Sequence, residues 1–197
     1  MLLLIDVESS DLLKRDVALS DASQPWPVSV AAELAENDGT TRDFFCTRVR
    51  ADGRRVRPGA EAVHGISSRD AARSGVSEIA ALGMLVGFAA QADFLIGFNV
   101  DFDRDVILAT LARLKKDDRM LVRPGLELVD CMKAAAPICR IPSGHESGAH
   151  KWPSLDEALA ALGMPPRPTP HNPWSDVQST KAIYMNLRGR GALEAAA

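Results

Sequence analysis

Met1 to Glu8 reads M-L-L-L-I-D-V-E, and the rest of the chain is organised around it. The apolar run Leu2 to Ile5 has the pattern of a strand buried on both faces. It leads directly into two carboxylates, Asp6 and Glu8, which flank Val7. Side chains two apart on a strand share a face, so Asp6 and Glu8 stand side by side, roughly 7 Å apart along the backbone. Like charges at the end of a buried strand repel unless a cation lies between them. A hard divalent ion such as Mg²⁺, which takes oxygen ligands from one or two carboxylates and from substrate phosphates, meets that need. Taken alone, the pair also reads as two solvated acids at a strand end.

Composition bounds the possibilities. A chain of 197 residues suffices for one domain that buries roughly 70% of its unfolded surface. A hydrophobic fraction of 46% and a charged fraction of 25% are those of an ordinary globular protein. No apolar run is as long as a membrane span, and the N-terminal stretch has no basic flank of a signal peptide. Cys46, Cys131 and Cys139 are odd in number and form no C-x-x-C pair, which fits a reduced, cytoplasmic setting without a zinc framework. The net charge of −3 excludes nucleic-acid binding through global basicity. Such binding would need metal ions or a local basic surface.

Outward from the first strand, Val28 to Glu36 and Phe44 to Val49 read as strands joined by the turn Asn37-Asp38-Gly39, which completes an antiparallel meander. Glu61 to Arg73 reads as two short helical pieces separated by Gly65. Ser77 caps a helix to Gln91 with Ile79, Leu82, Val86 and Ala90 on one face. Phe94 to Phe98 is a short strand, Phe102 to Lys116 a helix, and Leu126 to Val129 another strand. Pro142 to Trp152 is a loop. Ser154 opens a helix with Glu157 as its capping-box partner, and Gly163 closes it. Pro165 to Pro170 is a stiff extended linker. Asn172 caps a last helix, with Pro173 at its first position. The expected organisation is one α/β domain over residues 1–188, followed by a frayed tail over 189–197.

Two more acidic sites follow in sequence. In I-G-F-N-V-D-F-D, Ile96 to Asp103, a strand turns so that Asp103 falls near a helix start. In H-N-P-W-S-D, His171 to Asp176, an Asn172 cap makes His171 the preceding residue and Asp176 the fourth helical one, the two positions that meet in a hydrophobic staple. Imidazole and carboxylate then share one helix start, whose partial positive charge favours the ionised acid.

Asp6-x-Glu8, Asn99-x-x-Phe102-Asp103, and His171 with Asp176 five residues on resemble the DEDDh (DnaQ-like) 3′–5′ exonucleases, a family that includes ribonuclease T, exonuclease X and proofreading subunits. Val63-His64-Gly65-Ile66, Val129-Asp130 and Ser154 to Met164 fall in the family's order. Phe98 stands where the family often has His, Ser9 where Thr is common, and Pro173 where a small residue is usual. None of these departures removes an acidic residue or His171.

The resemblance implies a ribonuclease-H-like fold, a mixed sheet of antiparallel meander plus parallel strands flanked by helices. It also implies two-metal hydrolysis of phosphodiester bonds from a single-stranded 3′ end, DNA slightly favoured over RNA, releasing nucleoside 5′-monophosphates. Two Mg²⁺, replaceable by Mn²⁺, would be held by Asp6, Glu8, Asp103 and Asp176, with Asp6 between them and His171 as general base. Ser9 would contact the terminal sugar, His64 and Ile66 the terminal base, and Phe98 and Asn99 would complete the substrate contacts. Several members of the family are homodimers. Two other functions remain open: a nucleic-acid-binding module without catalysis, and a phosphohydrolase of free nucleotides. Asp101, Asp105 and Asp130 read as solvated or capping acids, and His145 and His150 as loop residues. Arg54, Arg55, Arg57, Arg113, Lys115, Lys116, Arg119 and Arg123 read equally as phosphate contacts or as charged surface. Trp174 is the aromatic residue best placed beside His171.

Overall fold

The computed structural model describes residues 1–143 and 150–193. Its strands are β1 (Leu2–Ser9), β2 (Pro27–Ala35), β3 (Thr41–Arg48), β4 (Phe94–Gly97) and β5 (Glu127–Asp130), in the order β3-β2-β1-β4-β5. β1 pairs antiparallel with β2, and β2 with β3, as the meander requires; β1 to β4 and β4 to β5 are parallel. The helices are α1 (Pro58–His64), α2 (Ser68–Ser74), α3 (Glu78–Ala89), α4 (Val100–Arg113), α5 (Arg119–Val122), α6 (Cys131–Cys139), α7 (Leu155–Ala161) and α8 (Pro173–Gly189).

The unbroken apolar run of β1 is explained by its place in the middle of the sheet with both faces covered. Leu3, Ile5 and Val7 enter one core with Leu82, Leu85, Val106 and Ile107 from α3 and α4. Leu2 and Leu4 enter the other with Ala134, Leu159, Val177 and Ile183 from α6, α7 and α8. By the alternation of a strand, Asp6 and Glu8 continue the second face.

Three expectations change. On α3 the buried apolar side chains are Ala81, Leu82, Leu85 and Ala89, while Ile79 is 56% exposed. The apolar stripe on α3 is broad, and the buried face is rotated toward Ala81, Leu85 and Ala89 while still including Leu82. α4 begins two residues before the expected Phe102, because Asn99 takes the left-handed conformation and turns the chain at once. α6 was not expected at all. Pro137 argues against a helix there, but Asp130 caps its start by accepting from the Met132 and Lys133 N–H groups, and Cys131, Ala134 and Ala135 are buried.

α8 is tied to the sheet by a buried charge. Glu33 lies opposite Leu4 in the β1–β2 register and is fully buried. It is ion-paired with Lys181 and accepts from Gln178 Nε2 and Thr41 Oγ1, each at 2.5 Å. Removing one partner of such a pair strands the other charge. Lys181→Met should therefore destabilise the fold by about 3 kcal/mol, read from the midpoint of urea denaturation.

Candidate active site

The site lies where β4 leaves β1. Their pairing ends at Leu4↔Ile96 and the chain turns into α4, so the Val7 N–H has no strand beside it. Asp103 Oδ1 accepts it at 2.9 Å. The turn is tight. A Cβ on Gly97 would come within 3.0–3.1 Å of Val100, and Asn99 has φ 70°. The Asn99 N–H donates to Asp130 Oδ1 at 3.0 Å, so Asp130 acts as a capping and turn residue. This carries Asp103, 5% exposed, under the β1 carboxylates.

α8 supplies the third motif as its capping pattern requires. Asn172 caps it by accepting from the Ser175 N–H, and Pro173 is its first residue. Asp176 is buried, while His171, with φ 57°, is exposed at the rim. Ligand atoms of Glu8, His171 and Asp176 all lie within 4.8 Å of one another. A cleft of about 450 Å³ is lined by Asp6, Glu8, Asp103, His171 and Asp176, together with Phe98, Asn99 and Phe102.

A second cavity of about 430 Å³ adjoins it at Val7, Glu8 and Phe102 and is walled by Ser9, Leu12, Ala60, Val63 and His64. His64 Nε2 lies 3.3 Å from the Ser9 carbonyl, and its Nδ1 accepts from the Ile66 N–H at 3.0 Å. Burial lowers the His64 pKa. The Ile66 side chain is not in either wall. It packs into the core at 7% exposure, so its link to the site is through the His64 ring.

Several other candidates have different partners. Arg54 and Arg113 both pair with buried Glu78 at 2.7 Å. Arg119 pairs with Asp117, and Arg123 donates to the Ala92 carbonyl. Asp101 pairs with Arg104 and Lys133, and Asp105 with Arg104. The Trp174 ring packs on Phe44, centroids 4.6 Å apart. His150 is exposed and bridges to Pro142, while His145 lies outside the described residues.

Burial is the largest influence raising each of the four carboxyls. The Asp6 carboxyl lies well above the usual range, raised further by the charges of Asp103, Glu8 and Asp176. Glu8 is pushed up to about 7 by burial and by Asp176. Asp103 is raised by burial against the opposing Val7 hydrogen bond. Asp176 is also raised by burial, with Arg167 opposing. One guanidinium, that of Arg167, leaves such a cluster short of positive charge. Asp176 Oδ1 is buried and makes no hydrogen bond. Crowded oxygen donors, an orphaned carboxylate oxygen and a nearby imidazole fit a hard divalent cation.

No protein-family model matches the sequence, and no curated protein does. Solved structures match over nearly the whole chain. E. coli exonuclease I in complex with a dT13 oligonucleotide has a TM-score of 0.75 at 20% identity, over 96% of this chain and 41% of that one. The zinc-ion-bound form of the E. coli exonuclease I–ssDNA complex has a TM-score of 0.74 at 19% identity, over 96% and 40%. A moderately thermophilic exonuclease I from Methylocaldum szegediense has a TM-score of 0.73 at 20% identity, over 96% and 40%. The fold is ribonuclease-H-like. The chain spans about two fifths of the length of these neighbours.

One constituent of this ribonuclease-H-like cleft was not read from the sequence. Arg167, inside the Pro165 to Pro170 linker, lines it and pairs with Asp176 and Asp156. The sole local signal is a cation between two prolines, four residues before His171.

The raised carboxyls have a consequence for stability. Between 4.5, the ordinary Glu value, and about 7, the folded protein keeps a proton on Glu8 that the unfolded chain has released. Metal-free protein should therefore lose stability as pH rises through that window. Thermal midpoints in EDTA should fall from pH 4.5 to 7, less steeply for Glu8→Gln. Mg²⁺ or Mn²⁺ should raise the midpoint most at the upper end.

Proposed function

We propose that the chain is a metal-dependent 3′–5′ exonuclease that hydrolyses phosphodiester bonds from the 3′ end of single-stranded nucleic acid, DNA slightly favoured over RNA, and releases nucleoside 5′-monophosphates. The observation that carries this reading is the meeting of Asp6, Glu8, Asp103, His171 and Asp176 in one cleft of a ribonuclease-H-like sheet. The four acids come from three separate elements. A binding module needs neither a buried carboxylate cluster nor an imidazole at its rim.

Each residue has a part in the proposal. Asp6, Glu8, Asp103 and Asp176 would hold divalent cations, which supply an activated water and charge stabilisation at the phosphate. His171 is exposed at the cleft rim, where as general base it can reach a water molecule and take its proton. Asp103 keeps the strand end in register through the Val7 amide. The second cavity, with the Leu12, Ala60, Val63 and Phe102 side chains and His64, has the size and apolar walls to seat a terminal nucleoside. In this reading Ser9, which lines that cavity, would contact the terminal sugar, and Phe98 and Asn99, which line the acidic cleft, would complete the substrate contacts. Exonuclease I has been solved on single-stranded oligonucleotides, which supports a single strand as the substrate of this cleft.

The deciding experiment is digestion of 5′-labelled single-stranded DNA and RNA with Mg²⁺ or Mn²⁺. A ladder shortening from the 3′ end is expected, abolished by EDTA. His171→Ala should slow it about 10²–10⁴-fold, and Asp6→Ala at least as much. Turnover of a nucleoside 5′-ester with no attack on oligomers would instead identify a nucleotide hydrolase. Oligonucleotide binding without any turnover would identify a binding module.

A further inference from the structure

Arg167 stands in the acidic cleft with its side chain only 6% exposed. Its guanidinium grips Asp156 as a fork, Nε to Oδ1 and Nη2 to Oδ2, each at 2.7 Å. This is the bidentate geometry in which arginine holds a carboxylate most firmly. Nη1 then reaches Asp176 Oδ2 at 2.8 Å. Both ends of the connection are stiff. Pro166 and Pro168 restrict the backbone on either side of Arg167. Asp156 lies in the first turn of α7, whose start is locked by the reciprocal Ser154–Glu157 capping box.

The effect falls on Asp176. The terminal torsion of an aspartate is soft, with a broad two-fold profile, so an untethered carboxylate turns freely. Here Oδ2 is held by Arg167, while Oδ1 is buried and makes no hydrogen bond. Oδ1 is thus the oxygen left for a ligand, on the acid that clusters with Glu8 and His171.

We propose that Arg167, anchored by Asp156, is a positioning residue that sets the carboxylate plane of Asp176 and presents Oδ1 to a divalent cation. This deepens the nuclease reading and rests on it. The opposite role would be that of a resident cation competing with metal for Asp176. The fork on Asp156 argues against competition, because it matches the arginine charge with a carboxylate of its own. It also keeps the guanidinium in place while Oδ1 is engaged.

The two roles predict opposite signs for metal affinity. Titration calorimetry of metal-stripped protein with Mn²⁺ alone should show Kd raised about 10–100-fold in Arg167→Gln, the cost typical of removing a group that orients a metal ligand. Arg167→Lys should lose most of the same affinity despite keeping the charge, because an ammonium cannot hold both acids in a planar fork. Asp156→Asn, which leaves Arg167 in place but loosens its anchor, should weaken binding by a smaller factor. Far-UV circular dichroism in EDTA checks that each variant is folded, and Arg167→Lys with Asp156→Asn decide the matter if Arg167→Gln is not. Unchanged or tighter Mn²⁺ binding in folded Arg167 variants would overturn the positioning role. Wild-type protein that binds Mn²⁺ no better than Asp6→Asn would defeat the nuclease reading itself, a different result from wild-type binding that the Arg167 variants leave intact.

Discussion

Mutual repulsion of carboxylates at the end of β1 is the constraint on which the rest of the site depends. Asp6 and Glu8 share a face because a strand alternates, and that face is one the fold buries. Asp103 from α4 and Asp176 from α8 add charge to the same volume, and burial raises the pKa of every member. A fold selected for stability alone would place apolar residues here. The surrounding contacts are those that hold acids close together despite the cost: an amide for Asp103, a guanidinium for Asp176, and a helix start beneath Asp176.

Those contacts depend on where the sheet places α4 and α8. α4 can bring Asp103 to the Val7 amide because β4 is short and Gly97 admits a turn that a side chain would crowd against Val100. α8 can bring Asp176 over β1 because its body is fixed further along by Lys181 and Gln178 on Glu33. A buried ion pair is an uncertain source of net stability, but it specifies one placement of the helix over others. The two faces of the sheet thus have separate tasks. The α3 and α4 side supplies the larger apolar core and contributes Asp103, and the α6 to α8 side packs the second core and contributes Asp176.

The cleft also shows why the basic residues of this chain contribute less free positive surface than their number suggests. Arg54 and Arg113 neutralise Glu78, and Arg54 stacks on Trp26 with its guanidinium carbon 4.4 Å from the ring centroid. Arg167 is committed to Asp156 and Asp176. With these charges matched internally and a net charge of −3, in the proposed nuclease the attraction of a phosphate chain to the cleft would fall mainly to bound cations, for which the cleft has the oxygen donors.

Much of this was legible in the sequence, where local rules act over a few residues. The apolar run of β1, its period-two carboxylates, the turn at Asn37 to Gly39 and the caps at Ser77, Ser154 and Asn172 depend on neighbours in the chain, and each formed as read. The cap at Asn172 even placed His171 beside Asp176, since helix geometry fixes that distance. What required the tertiary structure was everything decided by packing between distant segments. Ile79 faces solvent and Ile66 the core because of what lies opposite them. α6 forms despite Pro137 because Asp130 and a buried face outweigh one lost hydrogen bond. Arg167 enters the cleft because Asp156, eleven positions earlier in the chain, is brought within reach of its fork. Periodicity and capping are properties of the chain; which face is buried, and which acid an arginine meets, are properties of the assembled fold.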